Sequence, residues 1–208
     1  MEIILVRHGQ TDSNLEMRYS GQTDSKLTSN GRNQVERTAQ MLFERLDGRF
    51  DSIFTSPLSR AYDTARIIVR RFGLQESTIV KVKELTEVNF GIFENLQYSE
   101  IIEKYPEEYR KWRDDWENHV IKNGESSRMV YDRVSGFFKG FIDAHDSGTH
   151  IFAMHWGTIA HTMSYLLDLG IQSYWKYKID NAGIVAMHVN DEKSCYLIPP
   201  YPNTLDTT

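Results

Sequence analysis

A chain of 208 residues with a formal charge of -5 is long enough to bury one large α/β core, and its acidity argues against a nucleic-acid or anionic-membrane partner. A single cysteine, Cys195, excludes an internal disulfide and a cysteine-rich zinc site. No stretch approaches the roughly 20 apolar residues of a membrane span, and Met1-Glu2 leads directly into an apolar run rather than a secretory signal. These features predict a cytoplasmic location.

Ile3-Ile4-Leu5-Val6, ending in Arg7-His8-Gly9, reads as a buried strand of a parallel sheet. The polar stretch from Gly9 to Lys26 reads as an active-site loop. Thr28 or Ser29 then caps a helix carrying Val35, Ala39, Leu42 and Leu46. Asp51 to Thr55 is a short strand, and Ser56-Pro57 predicts a cap with proline at the first helical position. That helix continues through Ala61, Ala65, Ile68 and Phe72 and stops at Gly73.

Ile79 to Val82 reads as a third strand, followed by an aromatic, irregular segment from Thr86 to Gln97 and polar helical stretches over Ser99 to Asn118. After a loop over His119 to Glu125, Ser126 or Ser127 opens an amphipathic helix with Val130, Val134, Phe137, Phe138, Phe141 and Ile142 on one side. A second apolar run, Ile151-Phe152-Ala153-Met154, ends in His155-Trp156-Gly157 and leads into a helix with Ile159, Met163, Leu166 and Leu167. Gly183 to Val189 and Ser194 to Ile198 form two last strands, hairpinned around Asn190-Asp191-Glu192. Strands alternating with helices predict a three-layer α/β sandwich, its mainly parallel sheet covered by helices on both faces. No composition break marks a linker, so residues 1–208 read as one domain with a loose tail at 199–208.

In such sheets ligands bind beyond the carboxyl ends of the strands, so His8 and His155 are expected at one crevice. Arg7 offers a planar fork for phosphate or carboxylate, and a neighbouring histidine with a fixed ring can act as base or nucleophile. Taken alone, Arg7-His8-Gly9 fits a satisfied structural histidine equally well. Arg60, in the first turn of its helix, opposes the helix dipole and makes better sense facing an anion, although a plain capping turn is the simpler account. Glu84 and Glu87 follow the third strand; near Phe90 and Phe93 a carboxyl group with a raised pKa could donate a proton, while solvation is the ordinary fate of glutamate. No His-Glu-x-x-His motif is present, and His155 and His161 do not share a helical face, so a metal site has no support. Tyr105, Tyr109, Trp112 and Trp116 share one helix stripe and read as packing, with Arg110, Lys111 and Arg113 solvated beside them.

Taken in order, the chain resembles the histidine phosphatase superfamily, also called phosphoglycerate mutase-like. The matching residues are Leu5-Val6-Arg7-His8-Gly9-Gln10-Thr11 with Asn14, Ser20-Gly21, Leu27-Thr28-x-x-Gly31, and Ser56-Pro57-Leu58-Ser59-Arg60-Ala61 with Thr64-Ala65. They continue with Leu85-x-Glu87-x-x-Phe90-Gly91, Gly124-Glu125-Ser126, His155-x-Gly157 and the Asn181-Ala182-Gly183 turn. The resemblance implies that His8 is the phosphorylated nucleophile. Arg7, Arg60 and a protonated His155 would surround the phosphoryl oxygens, and Glu87 would serve as proton donor. Asn14, Ser20, Gly21 and the Trp156 amide would complete the phosphate pocket.

The implied activity is metal- and cofactor-independent hydrolysis of a small phosphorylated metabolite by a monomer or homodimer. A phosphoglycerate mutase is the second reading, with Arg110, Lys111 and Arg113 as loose candidates for a carboxylate grip. A non-catalytic phosphate-binding module is a third, which the presence of His8, Arg7, Arg60, Glu87 and His155 disfavours. Trp156, Phe93, Asn95 and Ser25 depart from the family pattern at positions expected to select the substrate.

Overall fold

The computed structural model describes residues 1–198; the tail expected at 199–208 lies outside the described residues. Chain order is β1 (Glu2–Arg7), α1 (Asp12–Leu15), α2 (Ser29–Arg45), β2 (Ser52–Thr55), α3 (Ser59–Arg71), β3 (Ile79–Lys81), α4 (Tyr98–Lys104), α5 (Pro106–Asp114) and α6 (Ser127–Ala144). Then come β4 (Thr149–Met154), α7 (Trp156–Leu166), β5 (Ile184–Val189) and β6 (Cys195–Leu197). The six strands form one sheet in the order β3-β2-β4-β1-β5-β6. The first four of these are parallel, and β5 and β6 add an antiparallel edge as the expected hairpin.

The central strand shows how the layers arise. Successive side chains of a strand face opposite sides, and Ile3, Ile4, Leu5 and Val6 are all fully buried. Ile3 and Leu5 join Phe152, Met154 and residues of α6 and α7, including Val134, Phe138 and Ile159, on one face. Ile4 and Val6 join Ile151, Ala153 and residues of α2 and α3, including Val35, Leu42, Ala65 and Ile68, on the other. Each such side chain contributes about 1.5–3 kcal/mol by leaving water. A third, smaller cluster of Phe93, Ile101 and Ile121, with Tyr19, Phe90 and Trp112 packed on it, consolidates the excursion between β3 and α6.

One helix start differs from expectation. Ser56 extends the β2 ladder instead of capping α3, its N–H donating to the Ala153 carbonyl at 3.1 Å. The helix begins at Ser59 with Leu58 at the N-cap and no cap bond from its own side chain. The cap comes from a distant loop: Asp24 Oδ1 accepts from the Ser59 N–H at 3.0 Å and its hydroxyl at 2.7 Å. The helix stops as expected, with Gly73 at φ 70°.

Candidate active site

The strand order itself brings the two histidines together. β1 and β4 are parallel neighbours with Arg7 opposite Met154, and the His8 N–H donates to the Met154 carbonyl at 3.0 Å. His8 and His155 therefore leave adjacent strand ends, and their rings stand edge to face with centroids 5.2 Å apart. Gly9 follows because the loop presses on α2: a Cβ there would lie 2.4 Å from the Gly31 carbonyl oxygen.

Hydrogen bonding sets the tautomer of each ring. His8 Nδ1 is 2.7 Å from the Gly9 carbonyl, which can only accept, so Nδ1 carries the proton and Nε2 keeps its lone pair. His155 Nδ1 accepts from Arg60 Nε at 3.2 Å, so its proton sits on Nε2, a buried atom with no protein partner. Arg7 is similar: Nη1 donates to the Ile179 carbonyl at 2.6 Å, and the buried Nε is unpartnered. Two orphaned donors in the site of a histidine with a free lone pair suit the oxygens of an anion such as a phosphoryl group.

Burial, and then Arg60 and Arg7, hold His8 well below its ordinary 6.5. Burial, and then Arg60 and His8, do the same to His155. The same burial that suppresses the charge of His155 leaves its Nε2–H as a donor. Glu87 moves the other way. Burial raises its pKa against the opposing hydrogen bonds from Val88 and Gly157 N–H and the positive charge of Arg60. Its Oε2 accepts from the Gly157 N–H at 3.0 Å and its Oε1 from the Val88 N–H at 3.0 Å. A Cβ at Gly157 would meet Glu87 Oε1 at 2.5 Å, which explains glycine two residues after His155. Glu84 is exposed, so the two glutamates are distinguished by packing.

Arg60 is 1% exposed and is gripped by its surroundings. Nη1 donates to the Thr23 carbonyl at 3.0 Å, and Nη2 to the carbonyls of Gly21 at 2.6 Å and Ser20 at 3.3 Å. Ser20 lines the cavity above His8; Gly21, like the buried Arg60 and His155, does not. Gly21 is there because a Cβ would strike the Val88 carbonyl oxygen at 1.8 Å, and its own carbonyl accepts from Arg60. Asn14 Oδ1 accepts from the Thr11 N–H, the Thr11 hydroxyl and Asn181 Nδ2, leaving its amide N–H groups for the cavity. Trp156 opens α7 with its backbone N–H outside the helical ladder, while its indole N–H donates to the Tyr177 carbonyl at 3.2 Å. Arg7, His8, Asn14, Ser20, Glu87 and Trp156 line one cavity of about 550 Å³.

Sequence reasoning misses several supports. Glu94 accepts from the N–H groups of Gly21, Gln22, Thr23 and Phe90 and from the Thr23 hydroxyl. Arg133 donates to the Glu84 and Glu87 carbonyls and pairs with Glu125, which itself accepts from the Asn89 N–H. Thr64 accepts from the Gly9 N–H at 3.3 Å. Only the motif positions of Thr64 and Glu125 marked these residues beforehand. Phe93, expected near the acid, is buried in the third cluster instead. Among the described residues no three His, Cys, Asp or Glu side chains are gathered as metal ligands would be, and no helix is long and apolar enough to cross a membrane.

A mixed α/β sheet with a tautomer-locked histidine, buried arginines and a raised-pKa glutamate at its strand ends defines a phosphoglycerate mutase-like architecture suited to phosphoryl transfer. The sequence model of the histidine phosphatase superfamily (branch 1) matches residues 3–197. Phosphoserine phosphatase 1 of Hydrogenobacter thermophilus is 29% identical over 95% of this chain and 90% of its own. The adenosylcobalamin/alpha-ribazole phosphatase of Escherichia coli is 27% identical over 92% of each. The crystal structure of the alpha-ribazole phosphatase from Shigella flexneri superposes with a TM-score of 0.87 at 27% identity, over 97% of this chain and 96% of that one. The chain belongs to the histidine phosphatase superfamily and is a phosphatase of that family.

Proposed function

We propose that the protein hydrolyses phosphate monoesters of small metabolites through a phosphohistidine on His8, without a metal. The observation that carries this reading is the pair of buried, unpartnered donors, Arg7 Nε and His155 Nε2, beside a histidine whose lone pair is held on Nε2. In the first step His8 Nε2 forms the N–P bond as the ester P–O bond breaks, and Glu87 gives its proton to the leaving oxygen. In the second, Glu87 takes a proton from water, the water oxygen bonds phosphorus, and the N–P bond breaks to release phosphate. Arg7, Arg60, His155 and the N–H groups of Asn14 and Trp156 offer fixed charge and donors to the phosphoryl oxygens, so little reorganisation accompanies the reaction. Ser20 and Gly21 act through Arg60, whose guanidinium their carbonyls orient.

Hydrolysis is favoured over a mutase reaction because Arg110, Lys111 and Arg113 are exposed and none lines the cavity. Arg110 pairs with Glu107 and Arg113 with Asp114, so both arginines are already engaged by carboxylates of their own helix. With a lone cysteine, the protein suits the reducing cytoplasm. The test is phosphate release from p-nitrophenyl phosphate and a metabolite panel in excess EDTA, with isomerised product scored separately. His8→Ala is expected to lower turnover by at least about 10³-fold and to abolish an acid-labile phosphoenzyme. An inert wild-type protein, or an active His8→Ala variant, refutes the reading.

A further inference from the structure

Beyond the phosphate cavity, on the other side of Glu87, lies a second chamber of about 220 Å³. Its walls are mainly aromatic: Phe90, Trp112, Trp116, Trp156, Tyr174 and Trp175. The two cavities share Tyr19, Glu87, Phe90 and Trp156, so the proton donor stands where they adjoin. A leaving oxygen held at Glu87 would therefore have the chamber next to it.

We propose that the chamber seats the leaving group, and that the preferred substrate is a phosphate monoester of an alcohol bearing a neutral aromatic or heteroaromatic ring. This rests on the phosphatase reading above and specifies its substrate class.

Three features lead to it. The first is charge. The only ionisable acids or bases lining the chamber besides tyrosine are Glu87, Glu125 and His161, and no lysine or arginine does. Burial holds His161 down to about 3, so that wall is neutral, its Nε2 within 3.0 Å of the Ser127 hydroxyl. The lining offers a carboxylate no free cation: Arg133 and Arg128, whose charges bear on His161, are paired with Glu125 and Glu117. The cations of the neighbouring cavity do not alter this: Arg18 is taken up by Glu16, Glu100 and the Asn95 carbonyl, and Lys178 lines only the phosphate side.

The second feature is size. An apolar cavity of about 150 Å³ is enough to bind benzene, so this chamber has room for a single or fused bicyclic ring. The third is the construction of the wall. Trp156 packs against Tyr174 at 4.9 Å and Trp175 at 5.9 Å, and Trp116 stacks on Tyr174 at 5.6 Å. Trp175 nonetheless remains 55% exposed. Rings held at fixed angles with faces left uncovered give another ring an edge-to-face or offset-stacked site.

The experiment compares kcat/KM for 2-phenylethyl phosphate, 2-(indol-3-yl)ethyl phosphate, ethyl phosphate and phosphoserine, with p-nitrophenyl phosphate as a control for turnover. The aromatic alkyl esters are expected to exceed ethyl phosphate and phosphoserine by at least about tenfold. Trp175→Ala, at an exposed position, is expected to lower the aromatic-to-ethyl ratio at least about fivefold with an unchanged melting temperature. Trp116→Ala gives a second reading of the same ratio. Equal or better turnover of ethyl phosphate or phosphoserine overturns the inference and leaves the phosphatase reading standing. So does an aromatic preference that neither variant reduces, because the ring would then sit elsewhere. Failure to release phosphate from any ester, p-nitrophenyl phosphate included, overturns both.

Discussion

His8 and Glu87 are displaced from their ordinary ionisation in opposite directions by the same burial. His8 must be neutral to attack, and its pKa lies well below 6.5; Glu87 must be protonated to assist departure, and its pKa lies above 4.5. Activity should therefore rise with pH as His8 loses its proton and fall as Glu87 loses its own, giving a bell whose acid limb lies below 6.5 and whose alkaline limb lies above 4.5. Glu87→Gln should remove the contribution of Glu87 to the alkaline limb. It should cut kcat/KM for alkyl phosphates by about 10²–10⁴-fold and that for p-nitrophenyl phosphate far less, because kcat/KM reports formation of the phosphoenzyme and nitrophenolate leaves without a proton. The second ionisation of the ester, near about 6, is common to both enzymes, so the difference between their pH–rate profiles isolates the glutamate. An unchanged alkaline limb in the variant would assign the proton to another group.

At the scale of elements, the phosphate-facing loop is held from outside itself. The Glu94 carboxylate gathers the N–H groups of Gly21, Gln22 and Thr23 with that of Phe90, while the carbonyls of Gly21 and Thr23 orient Arg60. Glu94→Ala should cost at least the about 1.5–3 kcal/mol of one charge-assisted hydrogen bond, read as a lowered denaturation midpoint. It should also lower kcat/KM at least about tenfold by loosening Arg60, although Glu94 itself does not line the phosphate cavity. A destabilised variant with full activity would separate the loop from the site. This tether was invisible in the sequence because its partners are some 70 residues away. The strands ending in His8 and His155 were legible because an unbroken apolar run is a local signal. The start of α3 was misplaced for the opposite reason: its cap is Asp24, which no window around Ser56-Pro57 contains.

For the molecule as a whole, the buried histidines link stability to pH. His8, His155 and His161 are each at most 5% exposed, and each has a lowered pKa. The unfolded chain therefore binds more protons than the folded one. Their contribution is fully present above 6.5 and is lost as pH falls through the folded values, a window that for His161 runs from 6.5 to about 3. Each histidine adds a slope of up to about 1.4 kcal/mol per pH unit within its window. Glu87 acts in reverse, its raised pKa contributing stability below 4.5 that is lost as pH rises through the folded value. The denaturation midpoint should consequently fall between pH 7 and pH 5, where the histidines dominate. A flat profile there would mean that these rings are not held neutral.

What the sequence by itself determined was local: which runs become buried strands, which stripes face a core, and the family that the ordered motifs resemble. Those features follow from periodicity and residue chemistry within a few positions. Only the tertiary structure decided that β4 lies between β1 and β2, so that His8 and His155 share one edge. It also decided which of Glu84 and Glu87 is buried, which nitrogen of each histidine holds the proton, and that burial lowers the pKa of His155. The physical reason is common to all of these. Charge state and tautomer depend on the groups that surround a side chain in space, and here those groups come from loops and strands far apart along the chain.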